Sequence, residues 1–584
     1  MKKLRDNLPR RNGDPLKLAK KFMKNKKCKF ELKTVGPDVI RTIILKMKNS
    51  SSCGLDNINS YILKLAVDEL VPVITHLVNL SIMHRKFPTR WKISKIIPLH
   101  KKDETILPKN YRPVSLLCIT SKILEKAVFL QMFEYFEENS LIHPSHHAYR
   151  PLHSTTTALI EMIDNWAEAY ENEEISAVVM YDQSAAFDVC DHEILKNKLN
   201  IYGLQEGALL WISSYLENRK QCVYIEGAFS SILELGEAGV PQGGNLSPLL
   251  YNIYCSDLPE AIHDHEECDN TNEHIDDEAH DESEEEHKSI LSCKKCGKIV
   301  CYADDCTYSA SDKDPKILKE KIETSFIKIK NYMDNNKLFL NSDKTHLMIM
   351  SSSRSHSLHQ DFNINLNTGS EIIEPSKEER LLGATVTNDF LWKTHLRDHK
   401  KSLLSTLKSK NNALSIICHY SSFKVRKMFA NGLIMSHILY HIQLYGGTTA
   451  ELLSAIQVQQ NRAARLVCKL PWRTNTKILL DQLGWMNVKQ MVAFYSLMSL
   501  YKTKQTKLPK YIHEVISTPF KINTRIARTG GIRDTRLFKK EIGNSTFISR
   551  TTDLWNTMPT YLRMENEINT FSSKLRVWVK QSIS

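Results

Sequence analysis

The sequence predicts an α+β protein, strands and helices in its middle being continued by a mainly helical, basic C-terminal region. Three observations lead there. Residues 175–181 (ISAVVMY) form a β-branched run ending at Asp182, which suits a buried strand. A second short strand, Lys298–Tyr302, is followed within a few residues by Thr307 to Ser309, its expected hairpin partner. Elsewhere apolar residues recur at helical spacing, as in 315–336, where Leu318, Ile322, Phe326, Ile329 and Met333 share a face.

At 584 residues the chain is too long for one ordinary core, so about two to four packed units are expected. With 42% hydrophobic and 25% charged residues, and only 20 Gly and 19 Pro, it is neither collagen-like nor of low complexity. No apolar run reaches the roughly 18 residues that span a bilayer, and the charged start lacks the apolar stretch of a signal peptide. The expectation is an intracellular protein of nucleus or cytoplasm, not secreted, without a membrane partner. The 13 scattered cysteines read as free thiols in a reducing compartment.

Net charge is +13, unevenly spread. Between Glu260 and Glu286 lie 14 Asp and Glu and no Lys or Arg; setting those 14 aside from +13 leaves +27 on the rest. Residues 1–30 hold 12 Lys and Arg against Asp6 and Asp14. So basic a background suits a polyanionic partner. Charge alone leaves a solvated basic surface as an equal alternative.

In order along the chain, residues 1–50 read as a basic arm and one helix carrying Val39, Ile43, Ile44 and Met47 on one face. Ser50 to Ser60 is a polar loop, and Tyr61 to Met83 returns to helical spacing. After the 175–181 strand, helices are expected over Asp191 to Asn200 and Ala208 to Asn218, then a Gly/Pro turn over Gly236 to Gly244, then a helix in LSPLLYNIYCSDL. The acidic stretch 260–292 has few large apolar residues and is expected to be a disordered insertion. From about His399 the chain reads as Lys/Arg-rich helix.

Adjacent carboxylates are costly unless something positive sits beside them, which singles out Asp304 and Asp305 at the expected hairpin tip. Alone, the tetrapeptide Tyr302-Ala303-Asp304-Asp305 is equally well a solvated Asp-Asp turn. The signal sharpens with Asp182, because a strand ending there can lie beside Lys298–Tyr302 in one sheet. Three carboxylates brought together this way suit two Mg²⁺ ions about 4 Å apart, the arrangement that activates an attacking hydroxyl and stabilises a leaving pyrophosphate. Hard oxygen donors favour Mg²⁺, with Mn²⁺ as a substitute, over zinc.

These residues also carry a family resemblance. Residues 181–188, Tyr-Asp-Gln-Ser-Ala-Ala-Phe-Asp, resemble the first catalytic motif of reverse transcriptases, in the form typical of non-LTR, LINE-like retrotransposons. Residues 239–248 (GVPQGGNLSP) resemble the second motif and residues 302–305 the third, in the family's order. The segments YRPVSL from Tyr111, Arg150-Pro151 with His153-Ser154-Thr155, Asn341-Ser342-Asp343-Lys344-Thr345, and Leu381-Leu382-Gly383 resemble the fingers motifs, the fourth palm motif and the primer grip. The likeness covers at least residues 91–395.

The resemblance implies a right-hand polymerase: fingers over 51–174, palm over 175–395, and a helical thumb with C-terminal extension over 396–584. It implies an RNA template, a DNA primer and deoxynucleoside triphosphates as partners. Asp182 and Asp304 would ligand both metals, with Asp305 a looser ligand. Phe187 would pack under the sugar and reject a 2′-hydroxyl, with plain core packing as the competing reading. Gln242 and Gly243 would lie against nucleotide and template, Lys344 would protonate the leaving pyrophosphate, and Arg112 and Arg150 would contact phosphates, a structural ion pair being the alternative. Leu152 stands where relatives commonly have Gly, and His147-Ala148-Tyr149 replaces a more usual Phe-Gly-Phe. Cys293-x-x-Cys296-Gly297, with Cys268 and Cys301 nearby, resembles a zinc knuckle but lacks a second close pair, so zinc is the lesser reading.

Neither an endonuclease ahead of the polymerase, an Asp-Thr-Gly protease signature nor an RNase H carboxylate set is evident. The chain is therefore expected to be the polymerase part of such an element. A silent remnant that only binds RNA, and an intron-maturase-like factor, are the alternatives; the Ser-Ala-Ala-Phe-Asp form argues against the latter.

Overall fold

The computed structural model describes residues 13–101, 104–184, 186–263, 296–341, 344–351, 364–368, 371–471, 473–517, 530–532 and 538–583. Among them, strands of four residues or more are β1 (Ile93–His100), β2 (Tyr111–Leu116), β3 (Ile175–Ser184), β4 (Lys220–Ile225), β5 (Lys298–Tyr302), β6 (Asp305–Asp312), β7 (His346–Met350), β8 (Glu378–Leu381) and β9 (Ala384–Thr387). Helices that build the cores include α1 (Ile119–Glu138), α2 (Thr155–Glu171), α3 (His192–Ile201), α4 (Glu206–Leu216), α5 (Ser247–Tyr254), α6 (Pro315–Asn335), α7 (Leu403–Tyr420), α8 (Ala450–Cys468) and α9 (Val488–Thr506).

The central sheet runs β7, β3, β6, β5, antiparallel throughout, with the short strand Pro375–Ser376 parallel on the outer edge of β7. Alternation along β3 sends Ala177, Val179 and Tyr181 into one core and Val178 and Met180 into another. The first core is closed by Leu318, Ile322, Phe326, Ile329 and Met333 of α6. The second contains Ala158, Leu159, Met162 and Trp166 of α2 and continues into α7, α8 and α9. Burial on both faces explains why β3 reads as an unbroken apolar run. Each such side chain contributes about 1.5–3 kcal/mol on burial, so the sheet ties the N-terminal and C-terminal parts together.

A second sheet orders β2, β1, β4, with β1 antiparallel to β2 (Leu99 opposite Arg112) and parallel to β4 (Ile93 opposite Lys220). It borders the segment 239–243: a Cβ on Gly243, at φ +106°, would lie 2.7 Å from the Ser115 carbonyl oxygen. Only glycine fits that approach.

Several elements depart from the sequence reading. β3 does not stop at Asp182, because Gln183 and Ser184 find a new partner in Leu340 and Phe339. The pattern 61–83 is split at Ala66 into Ser60–Leu65 and Val67–Met83. The basic arm is docked from Lys17 on: Ala19, Phe22, Met23 and Phe30 are buried, and Phe30 bridges to Leu204. The acidic insertion starts later than 260, since Glu260 and Ile262 are buried around the turn Leu258–Ala261. The remainder of that insertion, 264–292, lies outside the described residues. Among the described residues no helix is long and apolar enough to cross a membrane.

Candidate active site

The site is built by strand register. Asp182 on β3 stands opposite Asp305 on β6, and Asp305 pairs with Tyr302 on β5. Directly opposed residues of an antiparallel pair hold their Cβ atoms about 5 Å apart. Ala303 and Asp304 form the two-residue loop joining β5 to β6, with Ala303 at φ +57°, a region that L-residues rarely adopt. Strain of this kind gathers at functional sites. All three carboxylates thus share one end of the sheet.

Electrostatics mark the cluster as unbalanced. Partial burial raises the Asp304 carboxyl above the ordinary range, with Asp182 adding to it and Arg112 and Lys101 opposing. Asp305 is pushed up to about 6, first by desolvation, then by Asp304 and Asp182, against the pull of Lys344. Lys344 Nζ donates to Asp182 Oδ2 at 2.7 Å. Among the described residues no group of three or more His, Cys, Asp or Glu side chains is closed around an ion site, Asp182 being bonded to Lys344 instead. The donor set itself, three carboxylates of which only Asp182 has an ion-pair partner among the described residues, fits hard divalent cations.

Phe187 lies beside this end of the sheet, half-buried. It stacks on Tyr251 at 4.7 Å and meets Tyr149 edge-on at 6.3 Å. Tyr251 is fixed from below by donating to Gln183 Oε1 at 2.6 Å. The Val240 amide donates to the Phe187 carbonyl, so the 239–243 segment rides on the first motif. Gln242 Nε2 donates to Asp188 Oδ2 at 3.1 Å. The loop beyond is held by Glu125, fully buried, whose Oε2 accepts from the Asn245 amide at 2.7 Å and whose Oε1 accepts from Ser121 Oγ at 2.9 Å.

The two arginines part company. Arg112 is exposed on β2 and its charge reaches Asp304. Arg150 makes a two-pronged ion pair with Glu137, at 2.7 and 2.9 Å, and also donates to the carbonyls of His143 and His146. That is the structural pair foreseen as the alternative for Arg150. The turn Leu382-Gly383 between β8 and β9 has both residues at positive φ, and its Leu382 carbonyl accepts from Tyr440 Oη and His441 Nε2 at 2.9 and 3.0 Å. Of the cysteines considered for zinc, Cys268 and Cys293 lie outside the described residues, Cys296 is half-buried, and buried Cys301 accepts from Cys306 Sγ at 3.3 Å.

Tyr149, Lys101, Glu125, Tyr440 and His441 escaped the sequence reading. Only Tyr149 left a signal, since it lies in the stretch 147–149 that departs from the usual pattern. The others act through long-range contacts that no local motif encodes.

Residues 99–386 match the family described as reverse transcriptase (RNA-dependent DNA polymerase). The match covers 288 of the 584 residues, just under half of the chain. Named relatives to which it is similar are RNA-directed DNA polymerases of mobile elements. The chain is 23% identical over 470 residues to the "Probable RNA-directed DNA polymerase from transposon BS" of Drosophila melanogaster, covering 79% of this chain and 48% of that protein. It is 23% identical over 454 residues to the "RNA-directed DNA polymerase from mobile element jockey" of the same species, covering 76% and 45%. With the "Probable RNA-directed DNA polymerase from transposon X-element" it shares 29% identity over 231 residues, 38% of this chain and 25% of that one. The chain thus spans about half the length of the first two relatives.

Proposed function

We propose that this chain is the RNA-directed DNA polymerase of a non-LTR retrotransposon, adding deoxynucleotides to a DNA primer 3′-end on an RNA template. The observation that carries the reading is the register that sets Asp182 opposite Asp305 with Asp304 in the adjoining strained turn. In this reading residues 51–174 are the fingers, 175–395 the palm, and 396–584 the thumb and its extension.

Asp182 and Asp304 would hold two Mg²⁺, with Asp305 the looser ligand, and ions held there would supply Lewis-acid activation of the primer hydroxyl and charge stabilisation for the leaving pyrophosphate. Lys344, already beside Asp182, is the proton donor to pyrophosphate. Phe187, backed by Tyr251 and flanked by Tyr149, leaves no room for a 2′-hydroxyl. Gln242 and the glycine backbone at Gly243 line the nucleotide and template side. Arg112, exposed and near Asp304, neutralises the triphosphate, a task suited to a planar guanidinium. Arg150 we assign to holding the 143–150 loop.

The test is primer extension on an RNA template with Mg²⁺, alongside a metal-free reaction with chelator. Magnesium-dependent extension is the expected result. Its absence in a folded, template-binding protein would leave the remnant that only binds RNA.

A further inference from the structure

A cavity of about 500 Å³ lies between the β1–β4 edge of the second sheet and the segment 236–242. It shares Asp188, Gly239, Val240 and Gln242 with the candidate active site, and its remaining walls come from the second sheet with residues 233–235, from Leu216 of α4 and from His192 of α3. Its volume falls within the about 300–1,000 Å³ of small-ligand sites.

Two buried cations line it. Lys92 and Arg219 are 6% and 3% exposed. Arg219 Nε donates to the Tyr215 carbonyl at 2.8 Å and its guanidinium lies 4.3 Å over the Tyr215 ring, but Nη2 is buried with no hydrogen-bond partner. Lys92 has no ion pair among the described residues, and burial together with Arg219 pulls its ammonium below the usual lysine range. Of the neighbouring acids Glu217 opposes the shift of Lys92 in part, but none forms an ion pair with Lys92 or Arg219 among the described residues. Glu217 is half exposed and 3.5 Å from Lys196, Glu234 is exposed and 2.8 Å from Lys220, and Asp188 is bonded to Gln242 with its carboxyl raised by burial. A buried cation without a counter-charge is costly, so the arrangement favours an incoming anion.

We propose that this cavity receives one nucleotide unit of the single-stranded template, its phosphate between Lys92 and Arg219 and its sugar or base against the apolar wall of Ile96, Leu216, Leu233 and Leu235. The inference rests on the polymerase reading, which supplies the strand. A phosphate alone would leave the apolar wall unused, whereas a nucleotide uses both. Contacts of this type fix the path of a strand without reading its sequence.

The experiment measures binding of the full chain to a primer–template with a single-stranded 5′ template overhang, and to a blunt duplex, over a series of KCl concentrations. Each phosphate contact on a single strand contributes about 0.7 to the slope of log affinity against log salt. Lys92→Gln should therefore flatten the slope by about 0.7 on the overhang substrate only, so that a fourfold rise in KCl costs it roughly 2.6-fold less affinity than wild type. Lys92→Arg should restore the slope. Since Lys92 is buried and its variant can misfold, the same contact is removed from the other side by single methylphosphonate substitutions along the overhang, using wild-type protein. One position should reproduce the flattening.

An unchanged slope, equal flattening on the blunt duplex, or no sensitive overhang position would overturn the site. So would inorganic pyrophosphate abolishing the position effect at low-millimolar concentration, which would make it a free-phosphate site. Extension by the wild type is followed in parallel. Overhang-specific flattening without extension supports this site while the polymerase reading fails; extension with an unchanged slope overturns this site alone.

Discussion

One aspartate buried in the core and three at the end of the central sheet are held in opposite ways. Asp257 is fully buried, with Oδ1 2.6 Å from Lys198 Nζ and 2.7 Å from Tyr332 Oη; Lys198, also fully buried, donates again to the Tyr254 carbonyl at 2.7 Å. Asp182, Asp304 and Asp305 meet at the sheet end with one ion pair, Lys344 to Asp182, and with Arg112 and Lys101 acting on Asp304, yet burial and mutual repulsion still raise Asp304 and Asp305 above the carboxylate range. The difference lies in whether charge is already balanced. Asp257 has its charge answered inside the core, although its Oδ2 is buried without a hydrogen-bond partner, and it serves the fold. An unbalanced cluster at an open edge is destabilising by itself and is relieved by cations.

The largest effect that sharpens this contrast is on catalysis. Asp304→Asn should lower primer extension roughly a thousandfold or more, about 4 kcal/mol of transition-state stabilisation, while RNA binding and the melting curve stay close to wild type. Retention of more than a tenth of the activity would remove Asp304 from the metal site. Asp257→Ala should do the reverse. It strands the Lys198 ammonium in the core and should cost about 3–5 kcal/mol of stability, read as a fall in denaturation midpoint, with activity per folded molecule little changed. Replacing both partners, Lys198→Met with Asp257→Leu, should recover much of the loss. A double variant as unstable as the single one would mean that the pair specifies the fold through more than its charge.

A smaller effect is expected where packing and selectivity meet. Phe187→Ala removes a ring that Tyr251 supports from one face and Tyr149 from the edge. Discrimination against ribonucleotides should fall at least about tenfold, some 1.4 kcal/mol, measured as the ratio of kcat/KM for matched deoxy- and ribonucleotides. Equal discrimination with reduced thermal stability would class Phe187 with the buried, balanced set.

How much of this was legible in the sequence depends on the reach of the contacts. β3 and the β5–β6 hairpin were readable because strand propensity and a two-residue turn are local, and so the meeting of Asp182, Asp304 and Asp305 at one sheet end was legible. The extension of β3 past Asp182 was not, since it depends on Phe339–Leu340 arriving from more than 150 positions away. The sequence reads residues 1–50 as a basic arm and one helix, yet Phe22, Met23 and Phe30 anchor the second half of that arm in the core. Arg150 illustrates the same limit: its motif suggested phosphate, and the Glu137 that engages it lies 13 residues earlier with nothing local to announce the pairing. The Lys198–Asp257 pair, between α3 and the chain just after α5, left no trace in sequence at all.

The smallest effect concerns pH and the metal-free protein. The Asp305 carboxyl is raised to about 6 by its surroundings and by Asp304 and Asp182, against an ordinary unfolded value of about 3.9. The folded state therefore binds this proton more tightly than the unfolded chain does. Its contribution to stability is fully present below about pH 4 and is lost as pH rises through about 6. Other carboxylates that are paired in the fold, Asp191 with Lys337 and Asp312 with Lys321, are lowered and work in the opposite direction at more acidic pH. The measurement is thus a difference between proteins. In chelator, the melting temperature of wild type minus that of Asp305→Asn should decrease between pH 5 and 7 by something on the order of 1 °C, because the variant has no charge to develop. Adding Mg²⁺ should reverse the trend in wild type, the cation balancing the charge that appears as the proton leaves. A difference that stays flat with pH in chelator would mean that Asp305 is already balanced without metal, and would move it from the poised set to the structural one.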